Sequence, residues 1–216
     1  GWWGSLSHLN SGGYRDNNEF KRTTFITTGR WRQPKWSLKS TLMLTGSEGE
    51  IPSSLGKTQF ENEPRAAAAN WAAIEGYKRI RKALAGTTLT NSLSPLLSSQ
   101  LTLHGKWSDN FEKRPFNNLG DQTLSAGVRG KLSYNRPATD WVLGIDWSTE
   151  QYKWRLDLNG ILLNENRENR DLLGLFGIMN YRPAPRLSIS LAAALNHIRY
   201  RLTDLFAGDG DQSGSR

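Results

Sequence analysis

Residues 97–107 read LSSQLTLHGKW, and their apolar side chains recur at every second position. Leu97, Leu101, Leu103 and Trp107 share one parity, whereas the alternate positions carry serine, glutamine, threonine, histidine and lysine. A period of two places successive side chains on opposite faces of a β-strand. The segment is therefore predicted to form a strand with one apolar face and one polar face.

The same alternation recurs along the chain and predicts about nine strands, each roughly 9–13 residues long. Residues 122–134 and 187–195 are the clearest further examples. Weaker alternation predicts the other strands, at residues 20–32, 36–45, 82–93, 141–147 and 170–182, with residues 2–9 as the end of one more. Strands of this length are longer than those of soluble sheets and suit a tilted crossing of a bilayer.

Short and long connections alternate strictly between the predicted strands. The short ones, at residues 33–35, 94–96, 135–140 and 183–185, all contain proline, which breaks a strand because it has no backbone donor. The long ones fall at residues 10–19, 46–81, 108–121, 148–169 and 202–216. Tight turns at one rim and long loops at the other are typical of an antiparallel, up-and-down membrane β-barrel.

The aromatic residues are expected to form two girdles at the ends of the apolar band. One set lies beside the short connections and consists of Trp31, Trp36, Tyr134, Trp141 and Tyr181. Phe20, Trp107 and Trp147 lie beside the long ones. Rings at both edges of an apolar band are typical of outer-membrane barrels. The low mean hydropathy of −0.61 is then the average over an apolar lipid-facing side, a polar lumen side and solvent-exposed loops.

Several kinds of chemistry find no support in the sequence. The chain has no cysteine, which excludes a disulfide scaffold and a thiol nucleophile. Neither a G-x-S-x-G nor an H-E-x-x-H pattern occurs, so we expect no enzyme and no cofactor. The GKT at residues 56–58 imitates a nucleotide-binding loop, but Ile51 replaces its first glycine. Residues 209–214 match only the first half of a calcium loop, so no metal site is expected.

Several loops resemble those of TonB-dependent outer-membrane receptors. Residues 13–20, GYRDNNEF, look like a GYRDNS loop of that family. Residues 51–56 and 64–78, IPSSLG and PRAAAANWAAIEGYK, resemble a long extracellular loop of its iron-complex branch. RPFN at residues 114–117 and YRLTDLF at residues 200–206 resemble two more. The resemblance covers essentially the whole chain.

The resemblance implies a barrel of about 22 strands that surrounds a plug, and the plug contacts the TonB complex. Residues 1–216 contain nothing similar to that plug, so we expect the whole chain to be an internal part of the barrel domain. The implied function is binding and import of an iron complex such as a ferric siderophore, energised through TonB. The implied location is the outer membrane of a Gram-negative bacterium, with membrane lipid and lipopolysaccharide as neighbours.

The formal charge of +8 gives this barrel an expected preference for anions. Basic residues on the polar faces of several strands would line the lumen; they are Arg22, Arg30, Arg32, Lys39, Lys106, Arg129 and Lys131. Residues 64–82 have helical character and end in a basic stretch. Three interpretations of this segment compete: a loop helix that closes over ligand, a rim patch that contacts the phosphates of lipopolysaccharide, and solvated charge.

Seven loop residues are predicted to contact ligand because their side chains bind planar or anionic groups. They are Tyr14, Arg15, Trp71, Tyr77, Lys78, Arg79 and Arg114. Two other functions stay open. One is a small structural or adhesive outer-membrane barrel. The other is a soluble basic β module that binds nucleic acid, although no nucleic-acid partner is expected for a receptor.

Overall fold

The computed structural model describes residues 1–206 and the backbone of Gly214 and Ser215. It is a single antiparallel sheet in which each strand pairs with its neighbours in chain order, and the sheet is not closed. The strands are β1 Trp2–Ser11, β2 Phe20–Arg32, β3 Trp36–Glu50, β4 Tyr77–Ser92, β5 Leu97–Lys113, β6 Asn118–Asn135, β7 Thr139–Leu158, β8 Ile161–Ala184, β9 Leu187–Asp204 and β10 Gly214–Ser215. The predicted all-β, up-and-down architecture is confirmed.

Two short helices interrupt the connection between β3 and β4. They are α1 Lys57–Asn62 and α2 Ala69–Ala72. Within the described residues, no helix is both long and apolar enough to cross a membrane. The helical character predicted for residues 64–82 is therefore confined to one turn, because the segment from Tyr77 onward pairs with β3 and β5. Tertiary pairing overrides local propensity here.

The predicted long loops at residues 108–121 and 148–169 were wrong. Both segments are arms of tall hairpins, and the turns between them occupy only residues 114–117 and 159–160. The physical reason is that period-two hydrophobicity requires one face to be covered by an apolar medium. Above the membrane both faces meet water, so the alternation ends while the backbone ladder continues. The connections at residues 12–19 and 51–76 do remain loops.

The register of the sheet separates an apolar face from a polar face. Residues that pair directly across antiparallel strands point to the same side. One row of such pairs runs across β4–β9 through Leu89, Leu101, Gly130, Ile145, Leu175 and Leu195. The next row is Thr88, Thr102, Arg129, Asp146, Gly174 and Asn196. All seven cations predicted to line the lumen lie on the polar face.

The apolar face is covered by no other part of the described chain. Leu195 is 67% exposed and Leu124 is 60% exposed, and the only buried hydrophobic residue in the described part of the chain is Ala67. A soluble sheet of this size would bury such side chains in a core. This sheet instead has the two-sided pattern of a barrel wall, with lipid against one face and water against the other.

Aromatic girdles border the apolar face at both ends. The lower girdle comprises Trp31, Trp36, Tyr134, Trp141 and Tyr181, and the upper girdle comprises Trp107 and Trp147. From Leu97 to Trp107 the strand rises about 33 Å, which a tilt of about 40° reduces to the ~25 Å height of an outer-membrane apolar band. Phe20 was wrongly assigned to a girdle. It pairs with Gly49 on the polar face, where its ring lies against that glycine.

A second aromatic ring lies over a glycine on the polar face. Gly144 of β7 pairs directly with Phe176 of β8, and the Phe176 ring occupies the space where a side chain at position 144 would lie. The ring thus covers backbone that would otherwise face water. Because a methyl group at Gly144 would overlap the ring, this pair depends on the absence of a side chain.

We expect Gly144→Ala to destabilise the intact protein by about 1–3 kcal/mol, because Phe176 has to leave its position. Gly46→Ala in β3 is the matched control, since a Cβ at Gly46 would meet nothing within 4 Å. Urea unfolding in lipid vesicles, followed by tryptophan fluorescence, measures both variants. Equal midpoints for the two variants would show that the Phe176 contact contributes nothing.

Candidate functional site

Loop 12–19 is fastened to loop 51–76 by the guanidinium group of Arg15. Its Nε and Nη2 donate to the carbonyl oxygen of Ala66 at 2.9 and 2.7 Å, and its Nη1 donates to the carbonyl oxygen of Ser53 at 2.6 Å. The side chain is partly buried. Several N–H donors of the guanidinium group are therefore used within the protein, and they hold two distant parts of the long loop together.

Asn17 joins the same two loops at a second point. Its Nδ2 donates to the carbonyl oxygens of Ile51 and Gly76 at 2.8 and 3.0 Å. Its backbone lies in the left-handed region, with φ of 51°, which asparagine tolerates better than most residues. Ile51 also donates its backbone N–H to the Gly76 carbonyl at 2.8 Å. We call residues 12–19 and 51–76 together the docked loop pair.

Tyr14 lies at the surface of the docked loop pair with 62% of its area exposed. The Arg65 guanidinium carbon lies 5.3 Å from the centre of the Tyr14 ring. Sequence reasoning missed Arg65 because this contact exists only once the two loops meet. An exposed ring beside an exposed guanidinium group is suited to planar or anionic ligands.

Trp71 belongs to the interior of the docked loop pair. Its indole is half-buried and fills the space where a side chain at Gly76 would lie. The backbone N–H of Gly76 in turn donates to the Trp71 carbonyl at 3.0 Å. The predicted contact residue therefore packs on loop backbone in this structure.

The basic stretch at the start of β4 divides between the two faces of the sheet. Lys78 and Lys82 lie on the polar face, whereas Tyr77, Arg79 and Arg81 lie on the face that continues the apolar side. The Tyr77 ring centre is 5.9 Å from that of Phe111, and the Arg79 guanidinium carbon is 5.7 Å from the Phe111 ring centre. The interpretation of this stretch as part of a closing helix is wrong, because alternate residues of a strand point in opposite directions.

Glu112 of β5 holds two of the predicted ligand residues in place. Its carboxylate accepts from Lys78 Nζ at 3.1 Å and from Arg114 Nε at 2.7 Å. Glu112 lies five residues beyond the upper-girdle Trp107, outside the membrane-spanning part of β5. Burial tends to raise its pKa, but the hydrogen bonds from Arg114 and Lys78 outweigh burial and hold the pKa below its ordinary value of 4.5. The alternation pattern alone gave no sign of this contact.

Positive charge on the polar face is concentrated on one side of the sheet. On strands β1 to β4, all of them described, this face carries no carboxylate and the cations Arg22, Arg30, Arg32, Lys39, Lys78 and Lys82. On β5 to β8 this face also carries acids: Lys106 Nζ lies 3.0 Å from Glu150, and Arg129 pairs with Asp146. The docked loop pair, which connects β1 to β2 and β3 to β4, therefore adjoins the more positive half of the polar face.

No metal site is evident in the part of the chain that the structure describes. Histidine, aspartate and glutamate side chains in residues 1–206 form no group of three or more that could hold an ion. The calcium-like motif at residues 209–214 lies outside the described residues.

The sequence matches no protein-family profile and no curated protein. The structure does resemble solved outer-membrane receptors. Against the ferric citrate transporter FecA in its unliganded form the TM-score is 0.78 at 10% identity, and the match covers 100% of this chain and 35% of FecA. For BauA, the ferric preacinetobactin receptor from Acinetobacter baumannii, the corresponding values are 0.71, 6%, 100% and 39%. For the copper transporter OprC they are 0.71, 12%, 99% and 36%.

This likeness establishes the fold. The chain has the architecture of a segment of an outer-membrane receptor barrel, and it spans little more than a third of the length of the solved structures. The matched proteins are transporters and receptors for different cargoes, among them ferric citrate and copper. The fold therefore does not identify the cargo, which has to be inferred from the side chains of this chain.

We expect Arg15→Lys to loosen the docked loop pair, because a lysine has no planar fork to reach the Ala66 and Ser53 carbonyls together. Hydrogen–deuterium exchange of the intact protein should rise about tenfold or more within residues 51–76, since each charged hydrogen bond contributes about 1.5–3 kcal/mol. Lys57→Ala is the control, because the Lys57 side chain is 88% exposed on α1. If hydrogen–deuterium exchange of residues 51–76 is unchanged in Arg15→Lys, the Arg15 side chain does not hold the two loops together.

The Glu112 contacts should weaken in acid. A carboxyl group whose pKa is lowered by folding contributes stability above its unfolded pKa and loses that contribution as pH falls through the folded pKa. The wild type should therefore be more stable than Glu112→Gln at pH 6, and the difference should shrink once the pH falls below 4.5. Urea midpoints at pH 6 and pH 3.5 test this, and a difference independent of pH would contradict it.

Proposed function

We propose that this chain forms part of the wall of an outer-membrane active-transport receptor that binds and imports an iron complex such as a ferric siderophore. The observation that carries the proposal is the docked loop pair at the rim of a polar face that is positive and without carboxylates on β1 to β4. The shared fold supports the same general kind of function, since the matched structures include ferric-complex receptors.

The ligand contacts are assigned to exposed or polar-face groups at this rim. Tyr14 and Arg65 present a ring and a guanidinium group to solvent, and Lys78 and Arg114 are held by Glu112 on or beside the polar face. Carboxylate and catecholate groups of an iron complex accept charge-assisted hydrogen bonds from such donors. An anionic complex is therefore the favoured cargo.

The other four predicted contact residues receive different roles in this proposal. Arg15 and Trp71 position the loops, because their polar groups and ring are engaged within the docked loop pair. Tyr77 and Arg79 lie against Phe111 on the outer face of the wall, away from the lumen. They take no direct part in ligand capture.

A path for the anion continues down the polar face. Arg22, Lys78 and Lys82 lie near the loop rim. Arg30 and Lys39 lie directly opposite each other in the strand register, near the turn rim. In the family that this chain resembles, a plug in the barrel controls this path, and the TonB complex moves the plug. We propose the same energisation for the parent protein in the outer membrane of a Gram-negative bacterium.

The two alternative functions make different predictions. A soluble nucleic-acid-binding module is disfavoured because the apolar face, exposed across the sheet, requires a lipid or detergent cover. A structural or adhesive barrel has no need of a rim that selects anions. Discrimination between anionic and cationic iron complexes therefore separates transport from adhesion.

The test is binding of ferric citrate to the intact protein in detergent, compared with a cationic ferric hydroxamate of similar size. We expect the ferric citrate complex to bind more tightly, and Tyr14→Ala combined with Lys78→Gln to weaken its affinity about tenfold or more. The matched control is Phe116→Ala with Lys113→Gln, which removes an exposed ring and a cation at the β5–β6 hairpin. Equal losses in both variants, or a preference for the cationic complex, would overturn the proposal.

A further inference from the structure

The polar face of β5 to β8 carries a group of aromatic, acidic and amide side chains above the upper girdle. They lie in two adjacent rows of the register. One row is Ser108, Thr123, Tyr152 and Glu168, and the next row toward the loop rim is Asn110, Asp121, Trp154 and Asn166. Tyr152 and Trp154 follow the upper-girdle Trp147 by five and seven residues, so both rings lie outside the membrane-spanning part of β7. We call these two rows the Trp154 site.

The short polar side chains of the Trp154 site are buried, although the sheet is open. Ser108, Thr123 and Asn166 are the only buried polar residues in the described part of the chain. The register places a ring directly opposite two of them, because Tyr152 pairs with Thr123 and Trp154 pairs with Asn166. The site therefore contains polar groups that are shielded from water, and shielding strengthens electrostatic contacts with a bound group.

Asp121 is the carboxylate of the Trp154 site that lacks a cation. Its Oδ1 accepts a hydrogen bond from Asn110 Nδ2 at 2.6 Å, and no basic side chain among the described residues forms an ion pair with it. Lys106 and Arg170 lie on the same face, but both contact Glu150 instead. The negative charge of Asp121 is therefore not neutralised within the described part of the chain.

Asn110 adds a second acceptor beside that carboxylate. Its amide nitrogen donates to Asp121, whereas its Oδ1 is buried and accepts no hydrogen bond from the described residues. The Oδ1 belongs to the amide group that contacts Asp121, so the two acceptors lie side by side. A buried acceptor without a donor destabilises the folded state, and a ligand that donates to it removes this penalty.

The rings of Tyr152 and Trp154 lie next to these acceptors. Trp154 is directly opposite Asp121 in the register, and both rings are half-buried. Burial raises the pKa of the Tyr152 hydroxyl above its ordinary value of 10.0, and the nearby carboxylates of Asp121 and Glu168 raise it further. Aromatic faces attract cations, and this attraction adds to that of a neighbouring carboxylate. Acceptors beside aromatic faces therefore suit a positively charged donor.

We propose that the Trp154 site binds an ammonium or guanidinium group of the cargo, an iron complex that is anionic overall and carries one cationic group. Lys82 of β4 lies in the row of Ser108, and Asp121 is two strands away, about 10 Å at the usual strand spacing. Such a complex would contact the positive half of the polar face with its anionic part and Asp121 with its cationic group. The inference rests on the proposed function for the nature of the cargo, while the cation site rests on Asp121, Asn110 and the two rings.

The test of the cation site is binding of 2-phenylethylammonium to the intact protein in detergent, measured by titration calorimetry and compared with neutral 2-phenylethanol. The two probes share a ring and a chain, so they differ in charge and in the number of donors. We expect the wild type to bind the ammonium probe about tenfold more tightly, and Asp121→Asn to remove this preference. Trp154→Leu keeps an apolar side chain without an aromatic face and should weaken the ammonium probe about threefold.

The matched control is Asp109→Asn. Asp109 lies next to Asn110 on β5 but on the opposite face, and it too accepts a hydrogen bond from a cross-strand amide, Gln122 Nε2 at 3.0 Å. This variant should keep the preference for the ammonium probe. The inference is overturned if Asp121→Asn keeps the preference, if Asp109→Asn loses it equally, or if the wild type binds the two probes alike.

The nature of the cargo is tested with a ferric tris(catecholate) that carries one alkylammonium arm, compared with its N-acetylated form. The ammonium form should bind more tightly to the wild type, and the difference should disappear in Asp121→Asn; equal affinities for the wild type would overturn this part of the inference. Ferric citrate has no cationic group, so Asp121→Asn should not weaken its binding. If the wild type distinguishes the two phenylethyl probes but binds neither ferric citrate nor the catecholate, the proposed function fails and the cation site stands. If it binds ferric citrate without distinguishing the probes, only the present inference fails.

Discussion

The pairing of each interior strand with both of its neighbours, in a register without slips over most of the sheet, is the constraint on which this structure depends. Backbone groups in a membrane must be satisfied by the chain itself, and a continuous antiparallel ladder does this. Because the ladder also aligns equivalent positions across strands, a lysine on one strand faces the same side as its neighbours' polar residues. The charge separation between lumen and outer face follows from the register.

The loops extend this constraint above the membrane. Arg15 and Asn17 bond to carbonyl oxygens of a loop more than thirty residues away in sequence, and so order two loops that have little buried apolar surface. Charged and amide donors replace a hydrophobic core in this region, since Ala67 is the only hydrophobic residue buried in the described chain. Arg15 and Trp71, whose side chains are of types that commonly bind ligands, hold the loops together instead.

The net charge of the chain has two parts with different surroundings. On the polar face, Lys106, Arg129 and Arg170 meet carboxylates, while the cations of β2 and β3 have none on their own face. On the outer face, Lys21 pairs with Glu19, and Arg79 and Arg155 lie opposite Glu48 and Glu165 in the register. The formal net charge of +8 does not show this division, because it sums charges that face different surroundings.

The sequence by itself determined strands β1 to β9, the two faces and the lower girdle, because a strand with one apolar face shows an alternating pattern, as in Leu97 to Trp107. It did not determine the tall hairpins at residues 108–121 and 148–169, because strands wetted on both faces carry no such period. Only tertiary structure decided which site residues meet. Arg15 reaches Ala66 through loop docking, and Lys78 reaches Glu112 through the strand register, and no local pattern encodes contacts between residues so far apart in sequence.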